Sequence, residues 1–291
     1  MSAVFTSAIF GRDGTPDRGD AQIFPYWSFT KTALAVTALS LAEEGALDLD
    51  APVLDVTLRQ LLTHTAGMPD YFTLPAYRQA VARNEDPWPR DRLIRDTLAQ
   101  GRLFAPGAGW SYSNLGYLLA RAAIETASGQ SFATLFHTRI AEPLGLHSAR
   151  LAETRDQFAH VHWQQAQHYH PGWVYHGCLI GTAADAARLL HGLFTGTLLS
   201  PSSLTQMLVT HPLGGALPGR PWTECGYALG LMSGRMGAAG RAIGHSGGGP
   251  FSVNAVYHFP DLEIPATVAS FTTGPQEGIA EHAASDRAVS P

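Results

Sequence analysis

Strand-like segments sit at the two ends of this 291-residue sequence, and helical periodicity fills the stretch between them. A chain built this way must bring its ends together to complete a sheet. Residues 3–10 read as a strand closed by the turn Gly11-Arg12-Asp13-Gly14, and residues 21–27 as a short extended run broken by Pro25. Towards the other end, residues 227–233, 251–259 and 264–270 read as strands with Gly or Pro between them, followed by a short helix at 278–284. In residues 28–45, Ala33, Leu34, Val36, Leu39 and Leu41 predict a largely buried helix with Ser28 at its N-terminal edge and Gly45 as its stop. Further helices are predicted over residues 58–64, 88–102, 116–128, 132–140 and 183–195. The pattern predicts an α+β fold: an antiparallel sheet formed by both termini, flanked by helices, with a mainly helical lobe inserted. The expected division is a body of residues 1–60 and 177–291 around a lobe of residues 61–176.

Composition excludes several classes. Charged residues make up 15% of the chain and hydrophobic residues 45%, which is incompatible with disorder. The 30 Gly and 19 Pro follow no fixed period, so a collagen-like chain is excluded. Net charge is 19 − 24 = −5 with no basic block, so neither nucleic acid nor an anionic membrane is an expected partner. No apolar run reaches the 18 residues or so of a membrane span. The first five residues lack the basic start and long apolar run of a signal peptide, so the expected location is the cytoplasm. Cys178 and Cys225 form no C-x-x-C pair and are expected to be buried free thiols.

Of the 19 basic side chains, 18 are Arg and one, Lys31, is Lys. Arg does not give up its proton in a protein, whereas a desolvated Lys can become a neutral base. Lys31 closes the segment Ser28-Phe29-Thr30-Lys31, and residues three apart share a helix face, so its amine can reach the Ser28 hydroxyl. A serine is a poor nucleophile until a base takes its proton. Trp27, Leu34 and Ala35 are apolar neighbours that would lower the amine's affinity for a proton. At a helix start, free N–H groups also favour developing negative charge. A serine three before the one lysine arises by chance about 6% of the time, so this segment needs company.

Two more segments supply it. Tyr112-Ser113-Asn114 follows the Pro/Gly loop 104–111 and precedes a predicted helix. A loop-borne Tyr and Asn can point together into a cleft; the plainer alternative is an Asn capping that helix, with the Tyr in the core. Gly244-His245-Ser246-Gly247-Gly248 has two readings. As G-x-S-x-G it matches a nucleophile elbow at Ser246, which requires a strand before it and a helix after it. Gly249-Pro250 and an extended run follow instead. As H-x-G it is a strand edge whose glycines let substrate approach the backbone.

These three segments, in this order, resemble the β-lactamase and penicillin-binding-protein superfamily of serine hydrolases. The likeness is to its class C-like branch of D-Ala-D-Ala carboxypeptidases, D-aminopeptidases, D-amino-acid amidases and esterases. Residues 43–50, Leu61-Leu62-Thr63-His64-Thr65-Ala66-Gly67-Met68, Gly181-Thr182-Ala183-Ala184-Asp185 and Leu198-Leu199-Ser200-Pro201 extend the likeness over residues 23–271. The resemblance implies a β-lactamase/transpeptidase-like fold, no cofactor and no metal. It makes Ser28 the acylated nucleophile and Lys31 its proton acceptor. Tyr112 would shuttle a proton to the leaving group and help activate the deacylating water. Asn114 would hold the substrate carbonyl and orient Lys31. His245 and Gly247 take the third-motif positions, and the N–H groups of Ser28 and Gly248 would form the oxyanion hole. The implied partner is a small-molecule ester, amide or short peptide substrate.

Two departures matter. Only 27 residues precede Ser28, where the family has two full strands, so the sheet is expected to lack a strand or to have a reshaped edge. His245 stands where β-lactamases carry Lys. His is largely neutral at pH 7, so a fixed cation for a substrate carboxylate is missing, and esters or D-amino-acid amides are expected over β-lactams. The other readings are a non-catalytic binding or scaffold protein and an α/β-hydrolase esterase using Ser246. His160, His162, His168, His170 and His176 lack metal-site spacing and are read as pocket lining or surface, and His64 as structural. Trp27, Tyr71, Trp110, Trp173 and Tyr175 are candidates for an acyl-pocket wall.

Overall fold

The computed structural model describes residues 3–19 and 21–290; residues 1, 2, 20 and 291, the outermost positions of the expected body among them, lie outside the described residues. Seven strands form one antiparallel sheet: β1 (Val4–Phe10), β2 (His211–Gly214), β3 (Trp222–Tyr227), β4 (Met232–Met236), β5 (Gly240–Gly248), β6 (Ser252–Phe259) and β7 (Ala266–Thr273). Their order across the sheet is β1-β7-β6-β5-β4-β3-β2. β1 pairs with β7 from Val4 opposite Thr272 to Phe10 opposite Ala266, so the two ends of the chain close the sheet, as the sequence predicts.

Side chains alternate across a strand, and here both faces are covered. Ile9, Ile243, Val256, Ala269 and Phe271 enter one core together with helices α1 (Thr30–Glu43) and α3 (Ala183–Phe194). Ala8, Ala242, Ala255, Tyr257 and Val268 enter a second core with Ala280, Ala284 and Ala288 of the C-terminal helix α4 (Glu277–Val289). Helix α1 has no polar face and lies inside the molecule: every residue from Thr30 to Leu39 is buried. Its threonines find partners there. The Leu179 N–H donates to Thr30 Oγ1 (3.0 Å), Thr32 Oγ1 donates to the Gly230 carbonyl (2.7 Å) and Thr37 Oγ1 to the Ala33 carbonyl (2.8 Å).

Several expectations are corrected. The strand expected at 227–233 is a hairpin: β3 ends at Tyr227, β4 starts at Met232, and residues 228–231 turn between them. Ala228, Leu229 and Leu231 are apolar because this turn packs into the α1 core, and that made it read as strand. Gly230 has φ +67°, and a Cβ there would stand 2.6 Å from the Ala35 Cβ and 2.8 Å from the Lys31 carbonyl. The extended run near Pro25 does not join the main sheet. Phe24–Pro25 pairs instead with Cys178–Gly181 in a small separate sheet, leaving β1 as the outer edge. Helices at Pro75–Ala82 and Pro201–Met207, each opened by a proline suited to the first helical position, were not expected. Helix α4 runs to Val289, beyond the predicted end at 284.

The middle of β5 is interior, but its end is not. β4 pairs with it only through Gly240–Gly244, so from His245 onward one side of β5 carries no neighbouring strand. Cys178 is buried and Cys225 half-buried, both as free thiols. Among the described residues no helix is long and apolar enough to cross a membrane.

Because the hairpin tip rests on α1 through Gly230, Gly230→Ala should lower stability by about 2–4 kcal/mol in urea unfolding, from the positive φ and the contact combined. A change within about 0.5 kcal/mol would show that the tip does not bear on α1.

Candidate active site

Ser28 sits in a single 3₁₀ turn, Trp27–Phe29, that runs directly into α1. Trp27 holds φ +42°, a backbone region that bulky residues avoid. Its indole N–H donates to Ser252 Oγ (3.0 Å) and its ring packs against Phe158, Tyr169 and Phe251, which together pin the turn. The open end of β5 passes over it. A Cβ at Gly247 would stand 2.8 Å from the Ser28 nitrogen, and one at Gly249 would stand 2.3 Å from the Trp27 ring. Glycine at these two positions is therefore what lets the strand end lie against the serine.

One helical turn on, the side chain of Lys31 is fully buried. Its Nζ lies 2.9 Å from Ser28 Oγ, 2.8 Å from Asn114 Oδ1 and 3.3 Å from His176 Nε2. Burial lowers the amine's pKa to about 7, against the pull of the Asp70 and Glu277 carboxylates. On the other side of the serine, the Tyr112 hydroxyl donates to Ser28 Oγ (2.8 Å). Burial pushes this phenol well above its ordinary value, so at neutral pH it is a proton donor and not a base.

The Tyr112 loop is fixed through His64, whose φ is +61°. The Ser111 N–H donates to the His64 carbonyl (3.0 Å), the Ser113 N–H donates to His64 Nδ1 (3.1 Å), and the imidazole lies 4.3 Å from the Tyr112 ring. Ser113, not Asn114, caps helix α2 (Asn114–Ser128), accepting from the Gly116 N–H (3.0 Å). Asn114 is thus free to face the site. Its Nδ2 donates to Asp70 Oδ2 (2.9 Å), which aims its Oδ1 at Lys31.

Sequence reasoning missed two residues here and left a third undecided. Asp70 was one aspartate in a turn, and Glu277 one glutamate at a helix start; neither stood in a recognisable pattern. His176 was grouped with four other histidines, and only it reaches the lysine. The imidazoles of His64 and His176 are both held well below their ordinary values by burial and by Lys31, and are neutral.

His245 is buried and does not line the open cleft. Its Nδ1 faces the Ser246 carbonyl (2.5 Å), its Nε2 faces the Tyr227 hydroxyl (2.9 Å), and burial lowers its pKa to about 3. It is neutral at physiological pH. Ser246 points to the opposite face of the sheet, hydrogen-bonded to Glu281 and to the Tyr257 hydroxyl (2.6 Å). The strand continues through it, and a second strand follows where an elbow needs a helix.

A cavity of about 940 Å³ opens over the serine. Ser28, Asn114, His176 and Gly248 line it, and its apolar wall includes Trp27, Tyr71, Phe72, Tyr77, Tyr169 and Phe251. Of the expected wall aromatics, Trp27 and Tyr71 are present. Trp110 meets His64 edge-on, while Trp173 and Tyr175 pack against Tyr77 and Tyr71.

A serine hydroxyl between a buried amine and a neutral phenol, beside a glycine-lined strand end, is an arrangement suited to acyl transfer. Comparison with known proteins gives the family and the fold. The Beta-lactamase family model matches residues 12–289. A penicillin-binding protein of Bacillus subtilis is 33% identical over 165 residues, covering 53% of this chain and 35% of its own length. Esterase EstB of Burkholderia gladioli is 33% identical over 156 residues, covering 46% of this chain and 39% of its own length. The chain thus matches well under half the length of either relative. Among solved structures, a D-stereospecific amidohydrolase from Streptomyces superposes with a TM-score of 0.80 at 28% identity, over 95% of this chain and 90% of the other. A D-amino acid amidase from Ochrobactrum anthropi shares the fold, with a TM-score of 0.75 at 23% identity over 92% of this chain and 87% of its own.

The depressed pKa of Lys31 has a measurable cost. Between about pH 7 and 10.5 the unfolded chain holds a proton on this lysine that the folded chain does not, so its burial penalty is full below pH 7 and vanishes above 10.5. Lys31→Met should therefore melt at a higher temperature than wild type at pH 6–7, and the gap should shrink as pH rises to 10. A gap that stays constant with pH would show that Lys31 keeps an ordinary pKa.

Proposed function

The chain belongs to the Beta-lactamase family, and from that premise we propose that it is a serine hydrolase cleaving a small ester or amide through a Ser28 acyl-enzyme. The observation that carries this reading is the position of Ser28 Oγ between Lys31 Nζ (2.9 Å) and the Tyr112 hydroxyl (2.8 Å), with the lysine buried and half-neutral near pH 7.

A neutral Lys31 has two N–H bonds and one lone pair. Asn114 Oδ1 and His176 Nε2 are the acceptors for the two hydrogens, which turns the lone pair towards the Ser28 hydroxyl. In the first step Ser28 Oγ attacks the carbonyl carbon and its proton passes to Lys31. The oxyanion then accepts from the N–H groups of Ser28 and Gly248, each worth on the order of 3 kcal/mol in the transition state. Tyr112 gives its proton to the departing oxygen or nitrogen, and the phenolate is made neutral again by the proton that Lys31 took from Ser28. Expulsion of the leaving group leaves the acyl-enzyme. Water then enters and gives its proton to the neutral Lys31, and cleavage of the Ser28 ester, with that proton passed to the departing Ser28 Oγ, restores the resting site. In this reading the site draws Ser28, Lys31 and Gly248 from the expected body of residues 1–60 and 177–291, and Tyr112 and Asn114 from the lobe of residues 61–176.

The neutral His245 supplies no fixed charge for a substrate carboxylate, which favours esters and amides over β-lactams. The relatives named as an esterase and a D-stereospecific amidohydrolase support the same substrate range. No observation favours Ser246, which lacks an imidazole partner and is absent from the cavity lining.

A fluorophosphonate probe should add one adduct to the intact protein, lost in Ser28→Ala and kept in Ser246→Ala. An adduct that survives Ser28→Ala would overturn the assignment. Lys31→Arg keeps the charge but cannot accept the proton, and should cut acylation by at least about a thousandfold. For an uncharged ester, kcat/KM should climb through about pH 7 as Lys31 gives up its proton; a limb centred near pH 10 would exclude it as the base.

A further inference from the structure

Glu277, the first residue of α4, brings a carboxylate into the wall of the Ser28 cavity. A Cβ on Gly248 would stand 3.5 Å from its Oε1, so the carboxylate borders the strand end assigned above to the oxyanion. Arg220 joins the group: its Nη1 lies 3.0 Å from Glu277 Oε2. The same guanidinium also pairs with Glu281, Nε donating to Oε2 at 2.7 Å and Nη2 to Oε1, and Glu281 is fully buried. One guanidinium therefore serves two carboxylates, and the cluster keeps an excess negative charge. Burial and Glu281 both push the Glu277 carboxyl upward, against Arg220 and Lys31. Near the serine, His245 offers no charge. Arg78 lies in the cavity wall and forms no ion pair among the described residues, so it is the one rival for a ligand of the opposite sign.

A carboxylate that shares its guanidinium with a second carboxylate, beside an oxyanion hole, opposes the charge that develops there. A cation carried by the substrate between the two would remove that penalty. We propose that Glu277 forms a cation subsite, so that the preferred substrate carries a free ammonium close to its scissile carbonyl, as an α-amino amide or ester does. Substrates with a carboxylate in the same place are disfavoured. This deepens the Ser28 hydrolase reading and rests on it.

The test uses three phenylalanine p-nitroanilides, in both enantiomers, at pH 7: the free amine, the N-acetyl derivative and the N-succinyl derivative. Wild type should favour the free amine over N-acetyl by about tenfold or more in kcat/KM, with N-succinyl lowest. Glu277→Gln should shrink the amine preference to about threefold or less. The ratio is taken between substrates on one protein, so any unfolded fraction of the variant cancels. Several results would overturn the subsite: no amine preference or no turnover of the free amine in a protein labelled at Ser28, a preference that persists in Glu277→Gln, or a preference for N-succinyl abolished by Arg78→Gln. Failure of the fluorophosphonate to label Ser28 would instead remove the hydrolase reading beneath it.

Discussion

Desolvation of one amine organises this molecule. Lys31 lies on a helix buried on every side, and its Nζ reaches polar atoms only at the end where the serine, an asparagine and a histidine meet it. Water would return its pKa to the ordinary lysine range, where the ammonium has no lone pair to offer. In the proposed reaction a helix with no polar face serves the chemistry as well as the core, because it keeps water from the amine. The nearby Asp70 and Glu277 carboxylates pull the other way, and the value near 7 is the balance of these effects.

The surrounding architecture holds the serine against that amine. Closing the sheet with β1 and β7 fixes β5 beside the start of α1, and the end of β4 pairing at Gly244 leaves the tip of β5 free to meet the Ser28 turn. Trp27 pays in backbone strain for the serine's position, and Ser252 and three aromatic rings hold it there. From the other side, His64 ties down the loop that carries Tyr112, while Asp70 fixes the asparagine. Tyr112 and Asn114 are thus each set by a partner outside the cavity lining, His64 and Asp70, which is how a pre-organised site is kept rigid.

Much of this was legible in the sequence, for identifiable reasons. Ser28 and Lys31 were visible because helix geometry fixes what three residues apart means, and because Lys is otherwise absent from the chain. The segregation of strands to the two ends was enough to place residues 3–10 in one sheet with the C-terminal strands, but not to separate the run near Pro25 from it. Tyr112 and Asn114 were found as a pair, although only the structure shows that Ser113 takes the capping role and frees Asn114. What stayed hidden depends on contacts between distant segments. Asp70 is 44 positions from the asparagine it orients, and Glu277 is brought to the cleft only when α4 packs on the sheet. His176 was lost among histidines of similar spacing. The tip of the β3–β4 hairpin was misread because apolar turn residues packed on a core look like strand.

The proposed chemistry requires that Lys31 be half-neutral near pH 7 inside the folded protein. Since it is the only lysine in the chain, selective labelling of lysine with ¹³C at the ε position gives a single side-chain signal that needs no assignment. Its chemical shift, followed by NMR from pH 5 to 11 in the folded protein, should titrate with a midpoint near 7. A midpoint near 10.5 in the folded state would mean that Lys31 is an ordinary ammonium, and that the proton of Ser28 must go elsewhere.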